Sequence, residues 1–185
     1  MQLCIEHGWT ERYGHDNPTS ALIAPTYKIL KQATMRAVEE LLSDGLILRR
    51  RGHPENSLLW ANGHKTLLLS GEAEIEGLTL THVGVDELQH PAFDTRKFLN
   101  YLNRVRDSRV QRLALVACGL PESTWLRDQF DRPATGSQLT ILAPTRANPY
   151  ITPARLEAFL LRCPTGEEKR LIEGEWMPPI GAVYP

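Results

Sequence analysis

Gly77-Leu78-Thr79-Leu80-Thr81-His82-Val83-Gly84-Val85-Asp86-Glu87 is the stretch on which the reading of this chain turns. Residues 80–85 form a mainly apolar run, as expected of a strand buried on both faces. The run delivers two adjacent carboxylates at its carboxyl end. Neighbouring residues on a strand point opposite ways, so Asp86 and Glu87 can take different parts. One can hold Mg2+ through its water shell while the other polarises an attacking water, the division of labour that nucleotide hydrolysis needs. The plainer alternative, an acidic pair opening a solvated loop, stays open on these residues alone.

Working outward, Ala21-Leu22-Ile23-Ala24 reads as a second buried strand, stopped by Pro25, which has no N–H to give a ladder. A helix is expected over 27–43, with Ile29, Leu30, Ala33, Ala37, Val38, Leu41 and Leu42 as its apolar stripe and Gly45 just past its end. Strand-like runs follow at 46–50, 57–60 and 66–70. Asn62-Gly63 between the last two is a hairpin signal. A helix over 93–106 takes Asp94 as its cap and Phe98, Leu99, Leu102 and Val105 as its stripe. Further strands are expected at 113–117 and 139–143, and a short helix at 124–130. In the tail, Thr152-Pro153 starts a helix, Thr165 and Glu168 have capping-box spacing, and Gly174 is a stop. Residues 1–12 have helical spacing but no N-cap. Buried strands alternating with helices imply an α/β fold with a largely parallel sheet flanked by helices, whose ligands sit at the carboxyl ends of the strands.

Two further segments lie at such ends. Cys118-Gly119-Leu120-Pro121 is a strand-to-helix turn able to sense a γ-phosphate, or merely a loop. In Pro25-Thr26-Tyr27, Thr26 can cap the helix and Tyr27 can stack on a base or simply pack. Basic residues concentrate at Arg49-Arg50-Arg51 and again between 94 and 112, where a phosphate backbone is the obvious partner and a solvated face the plain alternative.

Composition narrows the field. The 185 residues carry 21 Lys+Arg against 22 Asp+Glu and are 42% hydrophobic, which is globular usage without a global basic excess. No apolar run approaches the ~20 residues of a membrane span, and the first residues do not read as a secretory leader. The cysteines, Cys4, Cys118 and Cys163, are far apart and odd in number, which argues against a disulfide framework and for a reducing compartment. The six histidines lack metal-ligand spacing, so no zinc site is expected. Neither G-x-S-x-G nor the phosphate-loop pattern G-x-x-x-x-G-K-[ST] occurs.

Taken in order, these segments resemble the large terminase subunit of tailed bacteriophages, the motor that pumps DNA into proheads. Leu22-Ile23-Ala24-Pro25-Thr26-Tyr27 is similar to the family's strand and turn after the phosphate loop, residues 77–87 to its Walker B strand, and residues 115–126 to its coupling motif. Gly174-Glu175-Trp176 followed by Gly181-Ala182-Val183-Tyr184 resembles its exit toward the nuclease. Leu88 and Ile75-Glu76-Gly77 depart from the family pattern.

The resemblance implies a three-layer, P-loop NTPase-like (ASCE/RecA-like) sheet, truncated at its N-terminus so that the chain starts inside the helix after the phosphate loop. Residues 1–150 would be a partial ATPase domain and 151–185 a helical linker toward a nuclease domain. It implies Mg2+ and ATP as cofactors of the full-length family, with Asp86 on the metal, Glu87 positioning water, and Pro25, Thr26, Tyr27, Cys118 and Gly119 near the nucleotide. Double-stranded DNA, met by Arg49, Arg50 and Arg51, is the implied partner, with portal protein and small terminase subunit, in an oligomeric ring at the prohead in the host cytoplasm. Without a phosphate loop, negligible hydrolysis and only weak ATP binding are expected of this chain alone. A non-hydrolysing DNA- or portal-binding module and a helicase-like fragment are the alternatives.

Overall fold

The apolar run at 21–24 lies inside the first strand, β1 (Thr19–Ala24), where Ile23 and Ala24 are wholly buried. A computed structural model describes residues 18–41, 46–52, 55–109, 114–121, 124–131 and 138–177. The helix expected at 1–12, the cap at Gly45 and the motif at 181–184 lie outside them.

After β1 come a helical run, then β2 (Ile47–Arg51), β3 (Ser57–Trp60) and β4 (Lys65–Ser70). β5 (His82–Val85) and β6 (Ala114–Ala117) complete one six-stranded sheet in the order β2-β3-β4-β1-β5-β6. β1 is parallel to β4 and to β5, and β5 to β6. The β2–β3 and β3–β4 pairs are antiparallel. The Asn62-Gly63 signal is the turn of the β3–β4 hairpin. Gly63 takes φ 80°, which glycine adopts without steric cost, and Trp60 N–H donates to the His64 carbonyl at 2.9 Å. Leu80 falls outside β5 and makes an isolated parallel bridge to Val105.

The first helical run departs from the expected stripe for a definite reason. It begins as α1 (Tyr27–Ile29), passes through a π-turn at Leu30–Thr34, and resumes as α2 (Met35–Leu41). The wider turn inserts a residue, so Met35, five along from Leu30, comes to the buried face, followed by Val38. Ala33 and Ala37 are exposed instead. Met35 and Val38 pack on Leu58 and Trp60, with Leu22 and Leu68 beside them. Beneath this cluster a buried chain of hydrogen bonds crosses three strands. Trp60 Nε1 donates to Thr66 Oγ1 at 2.7 Å, and Thr66 Oγ1 lies 2.8 Å from Ser20 Oγ.

α3 (Thr95–Arg104) starts where predicted, with Asp94 Oδ1 accepting from Lys97 N–H at 2.7 Å. Its buried face is aromatic, however. Phe98 and Tyr101 are buried, and the Tyr101 ring meets Phe93 edge to face at 6.3 Å. Leu99 and Leu102 are 45% and 41% exposed, because they sit to the side of that three-residue spacing. β4 and β6 lie on opposite sides of the β1–β5 pair, so right-handed crossovers place α2 and α3 on opposite faces of the sheet.

The described residues up to Cys118 form one compact unit and those from Gly119 a second. The second contains α4 (Thr124–Phe130), a 3-10 turn at Thr145–Ala147, α5 (Pro153–Arg162) and α6 (Glu168–Leu171). Thr152 caps α5 as predicted, accepting from Arg155 N–H at 3.3 Å. Two expectations fail here. Residues 139–143 form no strand, and Leu139, Ile141 and Leu142 are exposed. Thr165 does not cap α6, whose N-cap is Glu167, a residue committed to a buried ion pair with Arg170. Gly174 does end the helical tail, at φ 70°.

Candidate nucleotide site at the carboxyl end of the sheet

β1 and β5 run parallel and side by side, so Pro25 and Asp86 emerge at the same end. Gly84 leaves room for the Leu22 side chain on the neighbouring strand: an added Cβ would lie 3.1 Å from Leu22 Cδ1. Asp86 N–H donates to the Ile23 carbonyl at 2.8 Å, which continues the ladder one residue past β5 and fixes the direction of its side chain.

Both oxygens of that carboxylate are engaged. Oδ2 accepts from Thr34 Oγ1 at 2.6 Å, and Oδ1 from Cys118 Sγ at 3.1 Å. Partial burial and then the hydrogen bond to Asp86 push the Cys118 thiol up to about 11. The residue as a whole is exposed, so the hydrogen bond is the firmer cause. A protonated thiol is a donor and not a metal ligand. Thr34 comes from the π-turn and is the residue that sequence reasoning missed. The available signal was a hydroxyl four residues beyond Leu30, on the side of the helix that should be apolar. Turns of this kind recur at functional sites.

Glu87 is the one non-glycine residue with positive φ among the described residues, at 54°. A left-handed glutamate at the mouth of a strand is strained backbone. Its carboxylate accepts from Gln89 Nε2. The turn is closed by Leu88 N–H donating to the Cys118 carbonyl at 2.9 Å and Cys118 N–H to the Val85 carbonyl at 3.0 Å. β5 and β6 are thereby locked together beneath the two acids. Nearby, Lys97 Nζ donates to the carbonyls of Gly71 and Ala92, both at 2.7 Å, tying the loop after β4 to the start of α3.

The other expected residues divide. Pro25 is fully buried, and Thr26 caps α1 by accepting from Ile29 N–H at 3.2 Å. Tyr27 is 46% exposed, and its hydroxyl donates to Asn56 Oδ1 at 2.8 Å. Gly119 opens the second unit. The three arginines do not act as one cluster. Arg50 stands opposite Leu58 on β3 and pairs with Glu39 of α2, while Arg49 and Arg51 point to the other face of the sheet.

As a place for Mg2+, the donor set fits a lightly held ion. Asp86 and the Thr34 hydroxyl are hard oxygen donors, and no group of three or more His, Cys, Asp or Glu side chains converges among the described residues. Mg2+ commonly takes one or two carboxylates and completes its shell with water and phosphate.

The fold is a mixed six-stranded α/β sheet with flanking helices, consistent with the P-loop NTPase-like kind. Among solved structures, the chain is similar to the large terminase of the thermophilic bacteriophage D6E. The TM-score is 0.67 at 14% identity, covering 89% of this chain and 42% of that one. The same terminase in complex with ATP-gamma-S superposes at 0.61 and 14% identity. A mutant of the Thermus phage P74-26 large terminase ATPase domain superposes at 0.56 and 17%, covering 87% of this chain and 78% of the domain. At such identities the likeness establishes the fold, which is the one the resemblance implied, and the chain spans well under half of the D6E terminase. No family model and no curated protein matches the sequence. No described helix is long and apolar enough to cross a membrane.

Proposed function

We propose that the chain is a portion of a phage DNA-packaging motor, the part of the large-terminase ATPase domain that carries the metal-holding and water-positioning acids. The observation that supports this reading most is Asp86. It stands at the carboxyl end of β5, beside β1, with both oxygens oriented by Thr34 and Cys118, in a fold shared with a terminase that binds ATP-gamma-S. Asp86 and Thr34 would hold Mg2+, which would supply charge neutralisation to the triphosphate. Glu87 would orient the attacking water, its backbone already held in the left-handed region. Pro25, Thr26 and Tyr27, and the turn at Cys118 and Gly119, would flank the nucleotide.

Two carboxylates repel a triphosphate unless a cation intervenes, and backbone N–H groups of a phosphate loop normally supply the grip. The 185 residues contain no such loop. The chain alone is therefore proposed to bind ATP weakly and to hydrolyse it negligibly. Double-stranded DNA, a portal protein and a small terminase subunit are its proposed partners, in a ring at the prohead in the host cytoplasm, with residues 151–185 leading toward a nuclease domain.

The test has two arms. The isolated chain should show no magnesium-dependent turnover above buffer. A fusion supplying a strand, phosphate loop and helix start ahead of Met1 should acquire turnover that Glu87→Gln abolishes. A folded fusion without activity, or activity indifferent to Glu87→Gln, would sink the assignment.

A further inference from the structure

The opposite end of the sheet carries a feature that the nucleotide site does not use. A pocket of about 770 Å3 opens at the amino ends of β1 and β4. Its construction follows from strand register. Arg49 stands opposite Leu59, Leu59 opposite Lys65, and Lys65 beside Thr19, so one row across four strands presents all four side chains to one face. Two residues along β2, Arg51 opposite Ser57 begins the next row. The segment after α3 closes the pocket from beyond the sheet, contributing Arg106, Asp107 and Arg109.

The lining holds five cationic side chains and a single carboxylate, in a chain whose net charge is −1. Part of this charge is compensated. Asp107 is taken by Arg109, which donates from Nη2 at 2.7 Å and holds the carboxyl below its ordinary range. Glu55 serves Lys65 and, at 3.6 Å, Arg51. Arg49 and Arg106 have no ion pair among the described residues, and both are exposed. Two uncompensated guanidinium forks, from elements far apart in sequence, therefore face one cavity, with hydroxyls of Thr19, Ser57 and Ser108 between them. This is the chemistry of phosphate recognition. No aromatic side chain lines the pocket, so a base would find no stacking platform. The contacts suit a run of phosphates met through the backbone alone.

We infer that this pocket is a phosphodiester-binding site, remote from the Asp86 end, through which the chain grips the backbone of double-stranded DNA without reading sequence. Arg49 and Arg106 make the principal contacts. Arg50, the central residue of the basic triplet, takes no part because strand alternation sends it to the other face. The inference rests on the DNA-motor reading above and goes beyond it in naming the site.

The experiment is fluorescence anisotropy of a short labelled duplex with the full chain, over a series of salt concentrations. Arg49→Ala/Arg106→Ala should weaken binding roughly tenfold at low salt, and the slope of log K against log salt should shrink by about 2. Arg50→Ala should leave both unchanged. Arg49→Gln/Arg106→Gln, which keeps side-chain size, should behave like the alanine pair, and unchanged thermal melts would exclude unfolding as the cause. If the wild-type chain binds the duplex with a steep salt dependence that neither double variant alters, the pocket is overturned while the DNA reading stands. If the wild-type chain binds no duplex at low salt, both fall. Tripolyphosphate captured by wild type and lost by the double variants, with no duplex bound, would overturn DNA as the ligand.

Discussion

The two ends of the sheet are built from opposite materials. At the carboxyl end, Thr34 of the π-turn and Cys118 after β6 hydrogen-bond both oxygens of the Asp86 carboxylate, with a strained glutamate beside it. At the amino end, the second half of β2, the first residue of β4 and the segment after α3 present cations to a cavity, two of them, Arg49 and Arg106, without an ion pair among the described residues. Between the ends lies an apolar body crossed by the Trp60–Thr66–Ser20 chain. The lesson is about cost. Under the proposed reading, the acid that would hold a cation is oriented by donors before the ligand comes, whereas the surface proposed for phosphates leaves its arginines in solvent, where exposure costs little.

The largest effect that could break this contrast is acid loss of stability at the amino end. His64, in the β3–β4 turn, is wholly buried. Burial first, and then the neighbouring His82, lower its pKa from 6.5 to about 4, against an opposing pull from Asp107. Above pH 6.5 the imidazole is neutral whether folded or not. Between 6.5 and 4 the unfolded chain takes a proton that the folded one refuses, so stability falls as pH falls, by about 3 kcal/mol in all, and levels off below 4. Denaturant unfolding at stepped pH should trace that fall. A flat profile across the window would mean that His64 is free to charge in the folded protein. Asp107, held low by Arg109, adds its own loss only below its ordinary value of 3.8.

Next in size is the body that both ends share. Thr66→Val removes the acceptor of Trp60 Nε1 and the partner of Ser20, leaving two buried polar groups unpaired, and should cost about 2 kcal/mol. Urea midpoints measure it. A loss below about 0.5 kcal/mol would show that these hydroxyls and the indole find other partners.

Smaller, and confined to the carboxyl end, is Thr34→Val. It deletes a half-buried hydrogen bond to a carboxylate and should cost about 1 kcal/mol. If Thr34 orients Asp86, the variant should also weaken Mn2+ binding, read from the paramagnetic broadening of nearby resonances. Stability lost with Mn2+ binding intact would make Thr34 structural only. Smallest is Glu87→Gly, which relieves a left-handed non-glycine residue and should leave stability unchanged or raise it by less than about 1 kcal/mol. A clear loss in thermal melts would argue that the Gln89 contact holds the turn.

Elements whose causes are local were legible. The apolar run before Pro25, the Asn62-Gly63 turn, and the caps at Asp94 and Thr152 each need only neighbours within a few residues. The placement of Asp86 at a strand's end was legible for the same reason. Thr34 was not, because its hydrogen-bond partner is fifty-two residues away and reaches it only through a π-turn that shifts the helix face. The stripe at Leu99 and Leu102 misled because aliphatic periodicity ignored Tyr101, whose ring claims the buried side. The run at 139–143 is apolar yet forms no strand, since strand formation depends on a partner edge that local composition does not provide.

By itself, then, the sequence determined which segments could be strands and helices, and that an acidic pair would cap one of them, since backbone sterics and hydrophobic period are properties of short stretches. Only the tertiary structure decided which donors hold Asp86 and which two of three consecutive arginines share a cavity with Arg106. Those outcomes depend on strand register and on contacts between residues distant in the chain, which no local rule contains.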